Sequence, residues 1–252
     1  MYGFKIRYLA SVYLDIDSLV PEKSLISDLL TSLDDERFFS LQVLEMPDVP
    51  GGSPKPRIGL SNQKDGYDLV LLGKRFNFVM APLPPDGKNM VELDKFCSEA
   101  AEKLNAVLKC LGRRAKRLAL VREGFLPKME PKQMDKICKH LLTLPKTFSD
   151  KTPFEWDCRA ASRISRNFAG RTEDTNTLVT IKRFKGNLVE PSGKETKIDQ
   201  IRVDLDINTS PENIKERFGE TEIGAFFCEV VKWQKELEEE VLVFLKECGY
   251  VS

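Results

Sequence analysis

Hydrophobic and polar positions alternate with a period of two in several stretches of the chain. From Phe4 to Ile16, apolar and aromatic residues occupy one set of alternate positions, and mainly charged or polar residues occupy the other. This alternation predicts a half-buried β-strand. Related patterns predict further strands at 38–44, 57–60, 67–81, 118–121, 153–165, 178–184 and 198–207.

Elsewhere apolar residues recur every three to four positions, which is typical of an amphipathic helix. We expect helices at about 21–33, 91–111, 131–144 and 223–248. Pro21 suits the first turn of a helix, and Gly112 suits the residue just after one. The last helix exceeds the average length of about 11 to 12 residues.

The predicted order of elements is βαβ-ββαβ followed by α-βββα, which indicates an α+β fold of antiparallel sheets packed with helices. We expect two halves, residues 1–125 and 126–252. The first half is predicted to be ferredoxin-like, and the second ends in the long helix. The junction has no long flexible linker, so we expect the halves to pack closely, or to form one domain.

Composition and charge restrict the classes of function. Lys plus Arg equals Asp plus Glu at 39 each, so any binding of polyanions requires a local patch. No stretch is apolar enough to span a membrane, and the N-terminus lacks a signal-peptide pattern. We expect a cytoplasmic protein without contact to a membrane. Six scattered cysteines without metal-site spacing are expected to be reduced and mostly buried.

Two short segments are alike: Leu14-Asp15-Ile16-Asp17-Ser18 and Leu205-Asp206-Ile207-Asn208-Thr209. Each follows an alternating strand and precedes a Pro-Glu pair, which suggests a duplicated strand-turn-helix unit. The alternative is that Asp, Asn, Ser and Thr recur because they cap and turn. If the two strands were neighbours, a divalent metal could bind Asp15, Asp17, Asp204 and Asp206, as in a metal-dependent nuclease. Otherwise these aspartates lie at solvated strand ends.

No residue pattern indicates catalysis or a cofactor. His140 is the single histidine, and its place late in a predicted helix is explained by the helix dipole. Histidine-based acid–base chemistry and histidine metal clusters are therefore not expected. We predict neither a catalytic residue nor a cofactor.

Two regions are locally basic, and the second also contains or adjoins the aromatic residues Phe168 and Trp156. Basic residues interleaved with aromatic residues can bind phosphates while the rings stack on bases. The alternative is that nearby acids neutralise them. The nucleic-acid-binding candidates from these regions, 109–122 and 159–171, are Arg113, Arg114, Lys116, Arg117, Arg159, Arg163 and Arg166. The long C-terminal helix is a candidate for binding a protein partner or a second copy. Within it, Trp233 is the candidate anchor, because Trp is favoured at such positions.

Several segments together resemble a sporadically distributed prokaryotic family of proteins of about this length without an assigned activity. The similarity lies in the N-terminal strand, the segment Tyr67–Phe78 and the helix containing Phe96. It continues in Leu118–Arg122 and in the Leu205-Asp206-Ile207 strand before the final helix. Glu123-Gly124 stands where the family has an aromatic-Asn pair. The resemblance implies a bacterial cytosolic accessory protein, encoded beside mobile or defence loci, and supplies no catalytic residues.

Three functions follow in order of preference. The first is a non-enzymatic scaffold that binds a protein partner or a second copy within a bacterial assembly, such as a defence system. The second is a nucleic-acid-binding module that uses the two basic regions. The third is a metal-dependent nuclease that uses the four aspartates.

Overall fold

The computed structural model describes residues 1–15, 21–34, 38, 40–46, 53–82, 90–148, 152–189 and 195–250. Within these ranges the strands are β1 (Phe4–Tyr13), β2 (Ser40–Met46), β3 (Lys55–Asn62), β4 (Tyr67–Leu72), β5 (Arg75–Met80), β6 (Arg117–Phe125), β7 (Trp156–Phe168), β8 (Arg171–Val189) and β9 (Glu195–Thr209). The helices are α1 (Lys23–Leu33), α2 (Leu93–Cys110), α3 (Pro131–Leu141) and α4 (Glu220–Glu247), with a short 3-10 helix at Lys146–Phe148. The prediction of an α+β protein with a long C-terminal helix is confirmed.

The nine strands form one sheet in the order β2-β3-β4-β5-β1-β6-β9-β8-β7, and every neighbouring pair is antiparallel. The segment predicted as one strand at 67–81 is a hairpin of β4 and β5. Its turn residues are Gly73 and Lys74, because Leu72 pairs with Arg75. Apolar residues continue on both sides of this turn, so the periodicity alone did not reveal the reversal.

The helices pack against one face of the sheet, which carries Ala10, Val12 and Leu120. A first core joins this face to α1, α2 and the first half of α4. A second core joins β7, β8 and β9 to α3 and the last turns of α4. The 28-residue α4 therefore contributes to both cores, which explains the length of its apolar stripe.

No helix in the described ranges covers the opposite face of the sheet, which we call the uncovered face. Its central positions carry small or polar side chains, including Ser11, Ala119 and Asn208, all nearly inaccessible to solvent. Larger residues such as Tyr13 and Arg117 stand on the same face nearby. The helices described here also lack the combination of length and hydropathy required to cross a membrane.

The boundary expected between 125 and 126 falls within this single sheet. β6 of the first half pairs with β9 of the second over seven residue pairs, from Ala119 with Asn208 to Phe125 with Arg202. Helix α2 packs against α4, and Phe226 and Phe227 of α4 share the first core with Phe78. The predicted ferredoxin-like character of the first half stays a prediction.

The two similar segments have different structural contexts. β1 ends at Tyr13, so Asp15 lies beyond the strand, whereas Leu205–Thr209 is inside β9, between β6 and β8. β1 and β9 are not neighbours, because β6 lies between them. The helix after β9 begins at Glu220 rather than at Pro211. Asp17 lies outside the described residues.

Candidate functional site

Acids that are distant in sequence neutralise most of the first basic region. Three of its four candidate residues form ion pairs with acids at least 101 residues away: Arg113 with Glu216, Arg114 with Glu222, and Lys116 with Asp15. The hydrogen bond from Lys116 holds the pKa of Asp15 below its ordinary value. Of the four candidates in this region, only Arg117 has no carboxylate partner among the described residues.

A buried arginine positions the acids that face this region. Arg217 donates from Nε to Glu173 Oε1 at 3.1 Å, and both side chains are 7% exposed. It also donates to backbone carbonyls of Lys116 and Asn213. A bridge between Ala115 and Phe218 adds backbone bonds. The segment between β9 and α4 is thereby fixed beside the start of β6.

The second basic region is divided between the two faces of the sheet. Arg159 and Arg163 point to the uncovered face, whereas Arg166 lies on the helix-covered face with its guanidinium 4.6 Å from the Trp233 ring centroid. Burial lowers the pKa of Arg166. Arg163 makes a two-bond contact with Glu212, with both N–O distances 2.8 Å. The seven basic candidates therefore do not form one continuous patch.

The strand aspartates are engaged in separate contacts. Asp204 accepts from Arg202 Nε at 2.6 Å and lies 3.4 Å from Lys182 Nζ. Asp206 accepts from Asn208 Nδ2 at 2.9 Å. Loss of hydration raises the pKa of Asp206, and Arg117 and Arg159 act in the opposite direction. Asp15 lies beyond the end of β1 and is paired with Lys116.

Metal and nucleophile chemistry have little support in the described part of the chain. It contains no group of three or more His, Cys, Asp or Glu residues placed to hold a metal ion. The cysteines described are free, and burial raises the pKa of Cys97 and Cys138, which disfavours their nucleophilic thiolates. His140 is exposed late in α3, with its ring against Phe244. It lines the same surface pocket as Cys158, and no hydrogen bond joins the two side chains in the described part of the chain.

Trp233, the candidate partner anchor, is only 9% exposed. Its ring packs edge-on against Phe168 and Phe226 and carries the Arg166 guanidinium on one side. The side chain therefore offers a partner little contact area. The neighbouring apolar surface is more open, because a trough runs between α4 and the β7–β8 hairpin, lined by Ala160, Val179, Leu237 and Val241.

The strand that borders this trough is a free edge of the sheet. β7 pairs with β8 over 13 unbroken residue pairs, and no described strand pairs with its other side. Positions 159–165 are all exposed, including Ile164 at 43%. β7 contains no proline and no bulge, two of the devices that usually prevent such edges from pairing. We call positions 156–164 of this strand the β7 edge.

Side chains on the β7 edge differ strongly in size and charge. Ala160, Ala161 and Ser162 occupy its centre, with Asp157 and Arg163 three residues to either side of Ala160. Asp157 is exposed and has no ion-pair partner among the described residues. Arg163 was a candidate from the sequence, whereas Asp157 and the alanines were not, because alternation predicts a strand without showing that it lies at an edge.

Comparisons of the chain with protein-family models and with curated proteins gave no match. The features that indicate a function are therefore the β7 edge and the uncovered face. The resemblance to a prokaryotic family stays an expectation from sequence.

Proposed function

We propose that the protein is a non-enzymatic interaction protein that associates with a second copy of itself through the β7 edge. The observation that carries this proposal is an unpaired edge strand whose own sequence is complementary when two copies run antiparallel. Such a pair would continue the sheet from one molecule into the next, because each edge offers the backbone donors and acceptors that the other lacks.

The charge pattern selects the register. With a two-fold axis at Ala160, Asp157 of each copy faces Arg163 of the other, which gives two ion pairs on the uncovered face. Moving the axis by one residue, to Ala161, sets Arg159 against Arg163, which is unfavourable. Opposite charges directly across two strands contribute about 0.2 to 1 kcal/mol each, and like charges destabilise.

Side-chain size supports the same register. Ala160 meets its own counterpart at the axis, and Arg159 faces Ala161, so no two large side chains compete for one position. On the helix-covered face, Trp156 lies opposite Ile164, which is partly exposed in the single copy. Pairing therefore covers apolar surface next to the trough. A contact of this limited size suits a transient dimer rather than a permanent one.

Charge reversal tests the register. Asp157→Arg places arginine opposite Arg163 at two symmetric positions, and Arg163→Asp places aspartate opposite Asp157. We expect each variant to raise the dimer dissociation constant by about 10-fold, which corresponds to about 1.4 kcal/mol. Sedimentation velocity over a range of protein concentrations measures the change. Asp28→Arg, an equal charge change at an exposed position of α1, is the matched control.

Mixing the two variants makes the test specific. In a mixed dimer each arginine again faces an aspartate, so we expect the mixture to associate as the unaltered protein does, although neither variant does so alone. Arg163→Asp also loses the contact with Glu212, but this loss is present both alone and in the mixture. A protein that is monomeric at all concentrations, or variants that dimerise normally, would contradict the proposal.

The broader expectation of an accessory role in a bacterial assembly, such as a defence system, stays part of the proposal from sequence. Self-association through an edge strand supports such a role, because a dimer can bring two copies of a larger assembly together. Its support is the β7 edge, together with the lack of a His, Cys, Asp or Glu group suited to hold a metal among the described residues.

A further inference from the structure

Two arginines flank a tyrosine on the uncovered face, at the end of the sheet opposite Phe4 and Phe125. Tyr13 of β1 pairs directly with Arg75 of β5 and with Arg117 of β6. The guanidinium carbons lie 6.0 Å and 4.6 Å from the centroid of the Tyr13 ring. We call Arg75, Tyr13 and Arg117 the Tyr13 row. No helix in the described ranges covers it.

The Tyr13 row retains positive charge that its surroundings lose. The neighbouring cations Arg113 and Lys116 are paired with carboxylates. Neither Arg75 nor Arg117 lies within ion-pair distance of a carboxylate in the described part of the chain. Asp206 lies near enough for Arg117 to act on its pKa, which burial nevertheless raises, and the two side chains form no ion pair. Arg117 is therefore the one nucleic-acid candidate of the first basic region without a carboxylate partner in the described ranges, and together with Arg75 it gives the Tyr13 row a net positive charge.

The tyrosine ring explains why these two arginines are held without being neutralised. A carboxylate partner cancels the charge of a guanidinium, whereas an aromatic ring attracts it through its quadrupole and leaves the net charge available. Arg117 Nε is buried and makes no hydrogen bond in the structure. Two cations that are positioned in advance lose little side-chain freedom when an anion binds. Planar guanidiniums also match the oxygens of phosphate.

From this geometry we infer that the Tyr13 row binds phosphate groups, a function separate from pairing of the β7 edge. Two sources supply this chemistry: a small phosphate monoester such as a nucleotide, and the backbone of a single nucleic acid strand. Tyr13, Arg75 and Arg117 are all partly exposed, so either ligand can approach the row from solvent. The row includes Arg117 from the sequence candidates and adds Arg75 and Tyr13, which lie far from it in sequence.

Binding measurements at low salt test the inference. Fluorescence anisotropy with a labelled 15-nucleotide thymidine strand, and calorimetry with thymidine monophosphate, supply the two arms. We expect Arg75→Gln and Arg117→Gln each to weaken binding of the strand at least 5-fold. Each variant is also expected to reduce the slope of log affinity against log salt by about 0.7, the effect of one lost phosphate contact on a single strand. Tyr13→Phe, which keeps the ring, is expected to bind normally, and Tyr13→Leu more weakly.

Lys95→Gln is the matched control, since it removes one exposed positive charge on α2, on the helix side of the sheet. Binding of both probes identifies a phosphate monoester site, binding of the strand alone identifies a backbone site, and either result supports the inference. An effect of Lys95→Gln equal to that of Arg75→Gln overturns it, because net charge would then account for binding. Absence of binding to both probes, or binding unchanged in both arginine variants, also overturns it.

Discussion

At the residue scale, Asp206 shows how a position within the sheet changes the chemistry of a side chain. From the sequence we expected Asp206 to be either a metal ligand or a solvated residue at a strand end, but it is a half-buried residue within β9. Its hydrogen bond from Asn208 and the fields of two arginines do not compensate for its lost hydration, so its pKa is raised. The folded protein therefore carries a carboxylate that would be more stable in water.

Asp206→Asn is expected to stabilise the protein at neutral pH. Protonation of Asp206 favours the folded state, and this contribution is complete below the ordinary pKa of 3.8 and lost as the pH rises through the raised folded-state value. The amide keeps an oxygen to accept from Asn208 and carries no charge. We expect the variant to melt at a higher temperature at pH 7, with a smaller difference at pH values near 3.8. Thermal unfolding followed by circular dichroism measures both, and a less stable variant at pH 7 would contradict the prediction.

Individual basic residues could be selected from the sequence, but their partners could not. The spacing of Arg113, Arg114 and Lys116 indicates a positive segment, and nothing near them in sequence predicts Glu216 or Glu222. These acids lie in the segment before α4 and in its first turn, and Arg217 holds that segment beside the start of β6. The Tyr13 row is likewise a cross-strand arrangement of residues from three strands, so no local pattern contains it.

At the element scale, the β7–β8 hairpin was predicted only in part. We expected a strand at 178–184, whereas β8 spans 19 residues from Arg171. Its first part lies beside the exposed centre and end of β7 and is mostly polar, so it lacks the apolar alternation that identifies a half-buried strand. Hydrogen bonds to β7, and from Thr175 onward also to β9, hold this part of β8 in the sheet.

The turn of this hairpin offers a test of local backbone geometry. Phe168 pairs with Arg171, so Ala169 and Gly170 form a two-residue turn, and their φ angles are 50° and 71°. Positive φ at both positions is typical of a type I′ turn, in which Asn-Gly is preferred over Ala-Gly. We expect Ala169→Asn to raise the free energy of unfolding by about 0.5 to 1 kcal/mol. Chemical denaturation measures the gain, and Ala161→Asn, at an exposed position of β7 in the same hairpin, is the control that should show none.

At the scale of the whole molecule, one sheet and a shared core join the two halves that the order of elements suggested. Strand β9 completes the pairing of β6, and the aromatic residues of α4 lie in the same core as those of β5 and α2. A fragment of residues 1–125 would expose one side of β6 and lose Phe218, Phe226 and Phe227 from its core.

We therefore expect the fragment 1–125 not to fold into a cooperative unit. Its amide proton NMR spectrum should show little dispersion, and its thermal unfolding should lack a sharp transition, whereas the complete chain should show both. Adding the separately produced fragment 126–252 is the control, because reassembly of the β6–β9 pair should restore dispersion. A well-dispersed spectrum from the first fragment alone would indicate that the shared core is not required.

The sequence by itself determined where most helices and strands lie, because period-two and period-3.6 patterns reflect which side of each element is buried. It also predicted the α+β class and the long final helix. Only the tertiary structure decided that β6 separates β1 from β9, that β7 lies at an edge, and that Arg75 and Arg117 flank Tyr13. The physical reason is that one alternating strand can pair with many others. Its actual neighbours depend on contacts and hydrogen bonds between segments that are distant along the chain.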